Sequence, residues 1–327
     1  MRFLLRLLSL ALFAVAITLA QSNPLAQTQL PFQLKLIGPN IWAAIDDAKG
    51  DAGANAGFVI GDSGVLVIDT FENEAAAKAL LVEIHKLTHL PVKFVVNTHY
   101  HLDHVAGNRV FSNAGAVIVG QHSVRAWINT ENLKFFGDKI KSEEKTRVEQ
   151  LLGPEVVYDS AVTLFLGSRR ITVQFFDGHT GGDSVVSIPD AGVVFCGDLF
   201  WRKTLPNLID ATTSAWINTL GDLAVLSAQV VNSDPPVRSA VFVPGHGDVG
   251  TANDVLDLQK YLEYLRSAVQ KQVDSGKSGD DLVAAVLPDL TKSYGSWDFF
   301  KDFSRSNILD AAAELRGSKR TPPRDKK

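Results

Sequence analysis

Short apolar runs rich in β-branched residues, separated by turn residues, recur along the chain and predict β-strands. They lie at residues 32–37, 41–45, 58–60, 65–68, 92–96, 116–119, 161–166, 171–176, 184–188, 192–195 and 240–243. Apolar positions at helical spacing predict helices at residues 73–87, from 123, at 214–230, 254–273, from 279 until Pro288, and at 307–315. Because strands and helices alternate in two halves of similar length, we expect an α/β fold, a four-layer αββα sandwich.

Polar residues that suit a metal ion follow the strand predicted at residues 92–96. The next segment, residues 97–104, reads NTHYHLDH and contains His99, His101, Asp103 and His104. Three of the eight histidines of the chain therefore fall within six residues. Imidazole and carboxylate are ligands that borderline divalent cations such as Zn²⁺ prefer. The segment predicts a metal site at the carboxyl end of a strand, where α/β proteins place their chemistry.

Three later segments share this design, an apolar strand followed by a histidine or aspartate beside glycine. They contribute His179 in DGHT, Asp198 in CGDL and His246 in PGHG. The glycine allows a sharp turn and a close backbone approach at each strand end. Together the segments supply seven candidate ligands, which are too many for one tetrahedral ion. Seven ligands suit two ions, with one carboxylate free to bridge them.

These motifs, in this order, resemble those of the metallo-β-lactamase superfamily. The resemblance extends from about residue 41 to about residue 250 and includes VIDT at residues 67–70. It implies the αββα fold and a dinuclear zinc site. By this resemblance, the first zinc would be held by His99, His101 and His179, and the second by Asp103, His104 and His246. Asp198 would bridge the two ions, and Asp69 would orient the ligand loop.

A finer similarity points to the β-lactamase branch that has a single cysteine ligand. Residues 205–211, LPNLIDA, are similar to the segment that follows that cysteine, and there the asparagine, here Asn207, flanks the substrate carbonyl. Asp198 stands in the cysteine position, however, and His104 stands where that branch has arginine. Both departures are typical of the thioesterase, lactonase and other hydrolase branches of the superfamily.

The position of the basic residue that grips the carboxylate of the antibiotic in that branch falls near Trp201. Arg202 and Lys203 are its neighbours here. They are candidate substrate-binding residues, although exposed loop charges more often have no such role.

These observations predict an enzyme, a zinc-dependent hydrolase with two ions per chain that activate a water molecule. We expect a cyclic amide or ester as substrate, with a β-lactam leading and a thioester or lactone as the alternative. Asp103 is predicted to orient the nucleophile and to pass a proton to the leaving group, and Asn207 to stabilise the oxyanion or merely to form a turn. A mononuclear iron oxygenase is a further, less favoured interpretation.

Composition narrows the class of partner. The chain is 46% hydrophobic and 21% charged, which is ordinary for a globular protein. A net charge of −4 provides no basic field for nucleic acid, so a small-molecule substrate is the expected partner. The single cysteine excludes an internal disulfide and a multi-cysteine metal cluster. No pattern indicates an oligomeric state.

The N-terminus has the pattern of a secretory signal peptide. Arg2 and Arg6 precede an apolar run at residues 7–19 that ends at Ala20. We therefore predict a signal peptide at residues 1–20, a periplasmic or secreted protein, and no later membrane span. The other predicted divisions are a linker at 21–31, a metallo-β-lactamase-fold domain at 32–250, a packed helical extension at 251–317 and a disordered tail at 318–327.

Two further segments have alternative interpretations. Residues 46–57 are rich in glycine and alanine, and we interpret them as a mobile flap over the site rather than a loose hairpin tip. The pair Phe135 and Phe136 is interpreted as core packing in preference to a substrate-facing apolar edge.

Overall fold

The structure, a computed structural model, describes residues 29–46, 50–231 and 239–321. The predicted signal peptide, most of the linker and most of the tail lie outside the described residues. Within these ranges no helix combines the length and the apolar character that crossing a bilayer requires.

The strands of the described residues form two sheets. The first sheet contains seven strands in chain order: β1 (Phe32–Gly38), β2 (Ile41–Asp46), β3 (Ala56–Ile60), β4 (Val65–Ile68), β5 (Val92–Asn97), β6 (Val117–Gln121) and β7 (Val156–Tyr158). The second sheet has the order β12-β11-β10-β9-β8 and consists of β8 (Ala161–Leu166), β9 (Arg169–Phe175), β10 (Ser184–Ile188), β11 (Val193–Trp201) and β12 (Val241–His246). Neighbours from β4 to β7 are parallel, as are β11 and β12, so their carboxyl ends face the same edge.

Helices cover the outer faces of both sheets. In chain order they are α1 (Glu74–Leu87), α2 (Leu102–Val105), α3 (Asn108–Asn113), α4 (His122–Trp127), α5 (Ser142–Glu149), α6 (Thr213–Val231), α7 (Ala252–Asp274), α8 (Gly279–Tyr294) and α9 (Phe300–Leu315). Short 3₁₀ segments lie at Glu131–Lys139 and Pro189–Ala191. Helix α1 begins as its sequence predicts, because the side chain of Asn73 accepts a hydrogen bond from the backbone N–H of Ala76.

Three apolar layers hold the sandwich together. Between the sheets, side chains such as Leu66 and Val96 pack with Phe195 of the second sheet. Outside the first sheet, α1 contributes Leu80. Outside the second sheet, α6 to α9 form the largest layer with β11 and β12, where Phe242 is fully buried. The predicted four-layer αββα arrangement is confirmed.

Several boundaries differ from those predicted. Strand β11 extends to Trp201 because all nine of its residues are buried, so polar Asp198 lies within a strand. Helix α8 continues through Pro288, where the sequence predicts a break. An interior proline costs about 3 kcal/mol. Val286 and Leu290, on either side of it, are both buried, and their packing outweighs that cost.

The prediction of a mobile flap is wrong for residues 50–56. The Asn55 side-chain amide donates to the carbonyls of Pro244, at 2.9 Å, and Gly247, at 2.8 Å. The Asp46 carboxylate accepts from the N–H of Ala52, at 3.0 Å. Ala52 and Ala54 are fully buried. This segment is therefore fixed to the loop that carries His246.

Candidate metal centre

The candidate ligands converge on one edge of the sandwich from both sheets. His99, His101, Asp103 and His104 follow β5 and enter α2, and Asp198 lies in β11. His179 lies in the connection between β9 and β10, and His246 ends β12. Two groups have ligand atoms within 4.8 Å of one another: His99, His101, His179 and Asp198, and Asp103, His104, Asp198 and His246.

Asp198 belongs to both groups, and each of its oxygens faces one of them. Its Oδ2 lies 3.2 Å from His179 Nε2 and 3.7 Å from His99 Nε2. Its Oδ1 lies 3.1 Å from His104 Nε2 and 3.5 Å from His246 Nε2. The neighbouring Cys196 is buried in the apolar layer outside the second sheet instead. The carboxylate is therefore placed between two potential cation positions.

Buried ligand atoms without hydrogen-bond partners show that these residues suit metal ions. Within the described residues, Nε2 of His99, His104 and His246 and Oδ1 of Asp198 are buried and accept or donate no hydrogen bond. Buried polar atoms are nearly always paired, and these four all face the same two spaces. Nitrogen and carboxylate oxygen are the donor set that a divalent cation such as Zn²⁺ takes.

Burial and neighbouring charges set the ionisation of the two groups differently. Burial and the nearby His104 lower the pKa of His99 well below its usual range, which favours the neutral imidazole that binds metal. Burial alone would raise the pKa of Asp198, but the surrounding histidines hold it well below its usual range. Burial would lower the pKa of His246, but Asp198 and Asp103 raise it to about 9. The second group therefore attracts positive charge strongly.

Asp69 lies beneath the ligand loop. Its carboxylate accepts hydrogen bonds from the Thr98 N–H, at 2.8 Å, and the Thr98 hydroxyl, at 2.7 Å. Its Oδ2 also lies 2.8 Å from His104 Nδ1. This contact turns the opposite ring nitrogen of His104 toward Asp198. The structure thus places Asp69 where it can orient both the loop and one ligand.

Asp210 makes an equivalent contact that sequence reasoning missed. Its Oδ2 accepts from the Tyr100 hydroxyl at 2.6 Å and lies 3.0 Å from His101 Nε2, while its Oδ1 pairs with the Lys134 ammonium. His101 Nδ1 is thereby directed toward His179 Nε2, 3.0 Å away. The sequence signal that could have identified Asp210 is a carboxylate between apolar Ile209 and Ala211. Such a residue is buried with its neighbours and then needs polar partners.

A cavity of about 400 Å³ opens above the ligands. Its lining includes His101, Asp103, Asp198 and His246, together with Glu72, Asn207 and several aromatic rings. Asn207 both lines the cavity and forms a turn, since its Oδ1 accepts from the Ile209 N–H at 3.0 Å. Both interpretations of Asn207 are therefore compatible with its position.

Comparison with known proteins places this arrangement in a family. Residues 50–264 match the family model described as "Metallo-beta-lactamase superfamily". The chain belongs to the metallo-β-lactamase superfamily.

The similar curated proteins are named as different kinds of hydrolytic enzyme. The chain is 23% identical over 275 residues to a linear primary-alkylsulfatase of a Pseudomonas species, covering 71% of this chain and 49% of that protein. It is 27% identical over 167 residues to a hydroxyacylglutathione hydrolase of Gloeobacter violaceus, covering 48% of this chain and 58% of that protein. The chain therefore spans about half the length of these curated relatives.

Solved metallo-β-lactamase structures share the fold. The enzyme from Pontibacter korlensis superimposes with a TM-score of 0.55 at 21% identity, over 71% of this chain and 99% of that chain. The DIM-1 metallo-β-lactamase exposed to ceftazidime superimposes with a TM-score of 0.55 at 17% identity, over 72% and 98%. At these identities the likeness concerns the fold alone.

The interpretation of Phe135 and Phe136 as core packing is wrong for this member of the superfamily. Both residues line the cavity, and Phe135 is 38% exposed. The Phe135 ring meets His101 edge-on with a centroid distance of 5.0 Å. The 3₁₀ segment Glu131–Lys139 therefore lies over the metal centre, so the pair faces the space a substrate would enter.

The structure places Arg202 and Lys203, the predicted substrate-binding residues, outside the lining of the cavity. The Arg202 guanidinium donates to Asp254 at the start of α7, with a distance of 3.1 Å. Lys203 is exposed. The reason is that β11 ends at Trp201, whose ring faces the metal centre, and the chain then turns away.

Proposed function

We propose that the protein is a hydrolase that holds two divalent metal ions, zinc by the ligand chemistry, and cleaves an ester-type carbonyl bond. The position of Asp198 carries this proposal, because its two oxygens face two separate ligand groups. His99, His101 and His179 would hold one ion. Asp103, His104 and His246 would hold the other, with Asp198 shared between them.

Two cations held in this way would supply Lewis acidity for the activation of water and of the carbonyl group. Side chains of the protein would transfer the proton and stabilise the oxyanion. Asp103 would take up a proton and pass it to the leaving group, and this role is supported by its position in the cavity lining and by its side chain being 27% exposed, the most of the candidate ligands. Asn207 can donate to the developing oxyanion, a role typically worth about 2.7–4 kcal/mol.

The charge of the cavity lining supports an ester, thioester or lactone over a β-lactam. No lysine or arginine is among the described lining residues, and Arg202 is paired with Asp254. Apart from the proposed metal ions, the carboxylate of a β-lactam antibiotic would therefore meet no cationic side chain of the described lining, and Glu72 would oppose it. The relatives named hydroxyacylglutathione hydrolase and alkylsulfatase support a hydrolase over an oxygenase.

A cyclic amide of the β-lactam type is the second candidate substrate. Asn207 favours it, because its side chain lines the cavity in the segment that is similar to the β-lactamase branch.

We further propose that the protein is exported to the periplasm or secreted and acts on a small molecule rather than on nucleic acid. The arginines and apolar run of residues 1–20 support export. A formal charge of −4 supports the exclusion of nucleic acid.

Metal analysis combined with a substrate panel tests the proposal. We expect about two zinc ions per purified chain and turnover of carboxylic esters, thioesters or lactones. Turnover of a chromogenic cephalosporin in preference to these would favour the second candidate. One iron per chain with no hydrolysis of any member of the panel would overturn the proposal and favour an oxygenase.

A further inference from the structure

We propose that the C-terminal helical segment completes the active site, with Phe299 and Phe303 binding an uncharged apolar acyl or alkyl group of the substrate. This inference deepens the proposed function and rests on it. The two residues lie about 100 positions beyond Asp198 in sequence, and both line the cavity.

A continuous aromatic surface connects the metal centre to this segment. The Trp201 ring stacks on His246 with a centroid distance of 3.9 Å and an interplanar angle of 25°. The Phe299 centroid lies 6.2 Å from that of His246 and 6.3 Å from that of Trp201. The Phe303 ring follows, 5.7 Å from Phe299. An apolar group that leaves the reacting carbonyl in this direction would remain on aromatic faces.

Backbone contacts hold Phe299 at this position. The Asp298 N–H donates to the Lys203 carbonyl at 3.0 Å, and the Asp298 carbonyl accepts from the Leu205 N–H at 2.8 Å. Residues 298 and 204 thus form a short parallel bridge between the C-terminal segment and the loop after β11. The segment is therefore attached to the same loop that carries Asn207.

Phe299 adopts a backbone conformation that an aromatic residue rarely takes. Its φ is 56° and its ψ is 13°, in the left-handed region. Such a conformation costs of order 1–3 kcal/mol and persists where the surroundings enforce it, often at functional sites. Phe299 remains 44% exposed, so burial of its ring does not offset this cost. Contact with a bound apolar group offers a reason for keeping phenylalanine here.

Further aromatic residues line the same cavity. Phe135 and Phe136 line it together with Phe299 and Phe303, and Phe135 contacts His101, a member of the other candidate ligand group. We call these four phenylalanines the aromatic wall. The described charged side chains of the lining, apart from the metal ligands, are limited to Glu72. Because the described lining offers no lysine or arginine, a charged tail would find no pairing partner beside the aromatic rings, whereas an uncharged apolar tail needs none.

A chain-length series of p-nitrophenyl esters, from acetate to octanoate, tests this inference on the zinc-loaded protein. We expect KM to fall about tenfold along the series in the unmodified protein. In Phe299→Ala the ratio of KM for the acetate to KM for the octanoate should fall close to one. Phe299→Gly should lose the preference equally while its Tm does not fall, because glycine adopts a positive φ without strain. Phe165→Ala, at a 59% exposed position of β8 outside the cavity lining, is the matched control and should keep the preference.

Calorimetric binding of 2-butanone and 2-decanone separates this inference from the proposed reaction, because neither ketone can be hydrolysed. If no ester is cleaved but 2-decanone binds more tightly than 2-butanone, and Phe299→Gly removes that difference, the apolar site stands and the hydrolase proposal fails. If esters are cleaved with the same KM ratio in the unmodified protein and both Phe299 variants, the inference is overturned and the hydrolase proposal stands.

Discussion

The ligand set and the aromatic wall meet in one cavity but are built in opposite ways. The candidate ligands come from four segments of the two sheets, and all except Asp103 are buried. The wall comes from the 3₁₀ segment Glu131–Lys139 and from the region that begins α9, and Phe135 and Phe299 remain more than one third exposed. The comparison suggests that the type of reaction is fixed by the interior of the fold, whereas the choice of substrate depends on surface segments that can change without disturbing it.

The largest effect should follow from a change within the ligand set. In Asp198→Asn the shared carboxylate loses its charge while its shape is kept. We expect hydrolysis to fall more than about 100-fold, beyond the 10- to 100-fold typical of residues that only support a ligand, and metal content to fall by about one ion per chain. Turnover measurements and elemental analysis provide the two readouts.

Asp257→Asn, at an exposed position on α7 that pairs with Lys260, is the matched control and should leave both quantities unchanged. A fully active Asp198→Asn protein with two ions would show that the bridge is misplaced.

A smaller effect is expected from a change at Asp210, which contacts the candidate ligand His101 but is not itself a candidate ligand. Asp210→Asn weakens the contact that directs His101 Nδ1 into the site. We expect zinc affinity to fall about 10- to 100-fold, measured by competition with a chromogenic chelator, without loss of the fold. Unchanged affinity would mean that Tyr100 and Lys134, and not the metal ligand, are the important partners of this carboxylate. Asp222→Asn, exposed on α6, serves as the control.

The smallest effect should come from the attachment of the C-terminal helices. Glu314 of α9 accepts from the Thr213 N–H, at 2.9 Å, and the Thr213 hydroxyl, at 2.6 Å, and pairs with Arg266 at 2.6 Å. Burial would raise the pKa of Glu314, but these hydrogen bonds and the Arg266 charge lower it below its ordinary value of 4.5. We expect Glu314→Gln to reduce the free energy of unfolding by about 1–2 kcal/mol at pH 7.

The sign of its pH dependence follows from that direction. Because the folded-state pKa is lowered, the stabilisation is fully present above pH 4.5 and is lost as the pH falls through the folded value. Denaturant unfolding of both proteins at pH 7 and across the acid range should therefore give curves that approach each other in acid. A difference that grows on acidification would contradict this assignment.

The same contrast explains how much the sequence predicted. The candidate ligands could be identified from the sequence, because each segment follows an apolar run and three of them also have a glycine beside the ligand. Local spacing therefore carries the information. Glycine is required at position 245, where an added Cβ would lie 1.8 Å from Asp198 Oδ1. The fold followed from the same alternation of strands and helices.

The aromatic wall could not be predicted from the sequence in this way. Phe299 belongs to no local motif, and its place in the cavity depends on a backbone bridge between residues 204 and 298. Phe135 sits in a polar, charged stretch whose path over the site is a tertiary feature. The ion pair of Arg202 was likewise not predictable, because sequence proximity to Trp201 does not reveal that its partner is Asp254, 52 residues later.

The placement of two indoles has an optical consequence. Trp201 stacks on His246, and Trp216 lies edge-on to His179 with a centroid distance of 5.3 Å. Trp201 also lies 6.1 Å from His179, so this indole is close to both candidate ligand groups. Since indole emission responds to the charge of its immediate neighbours, binding of a cation by these groups should change the intrinsic fluorescence of the protein. Fluorescence titration with Zn²⁺ should therefore follow metal binding without an added dye.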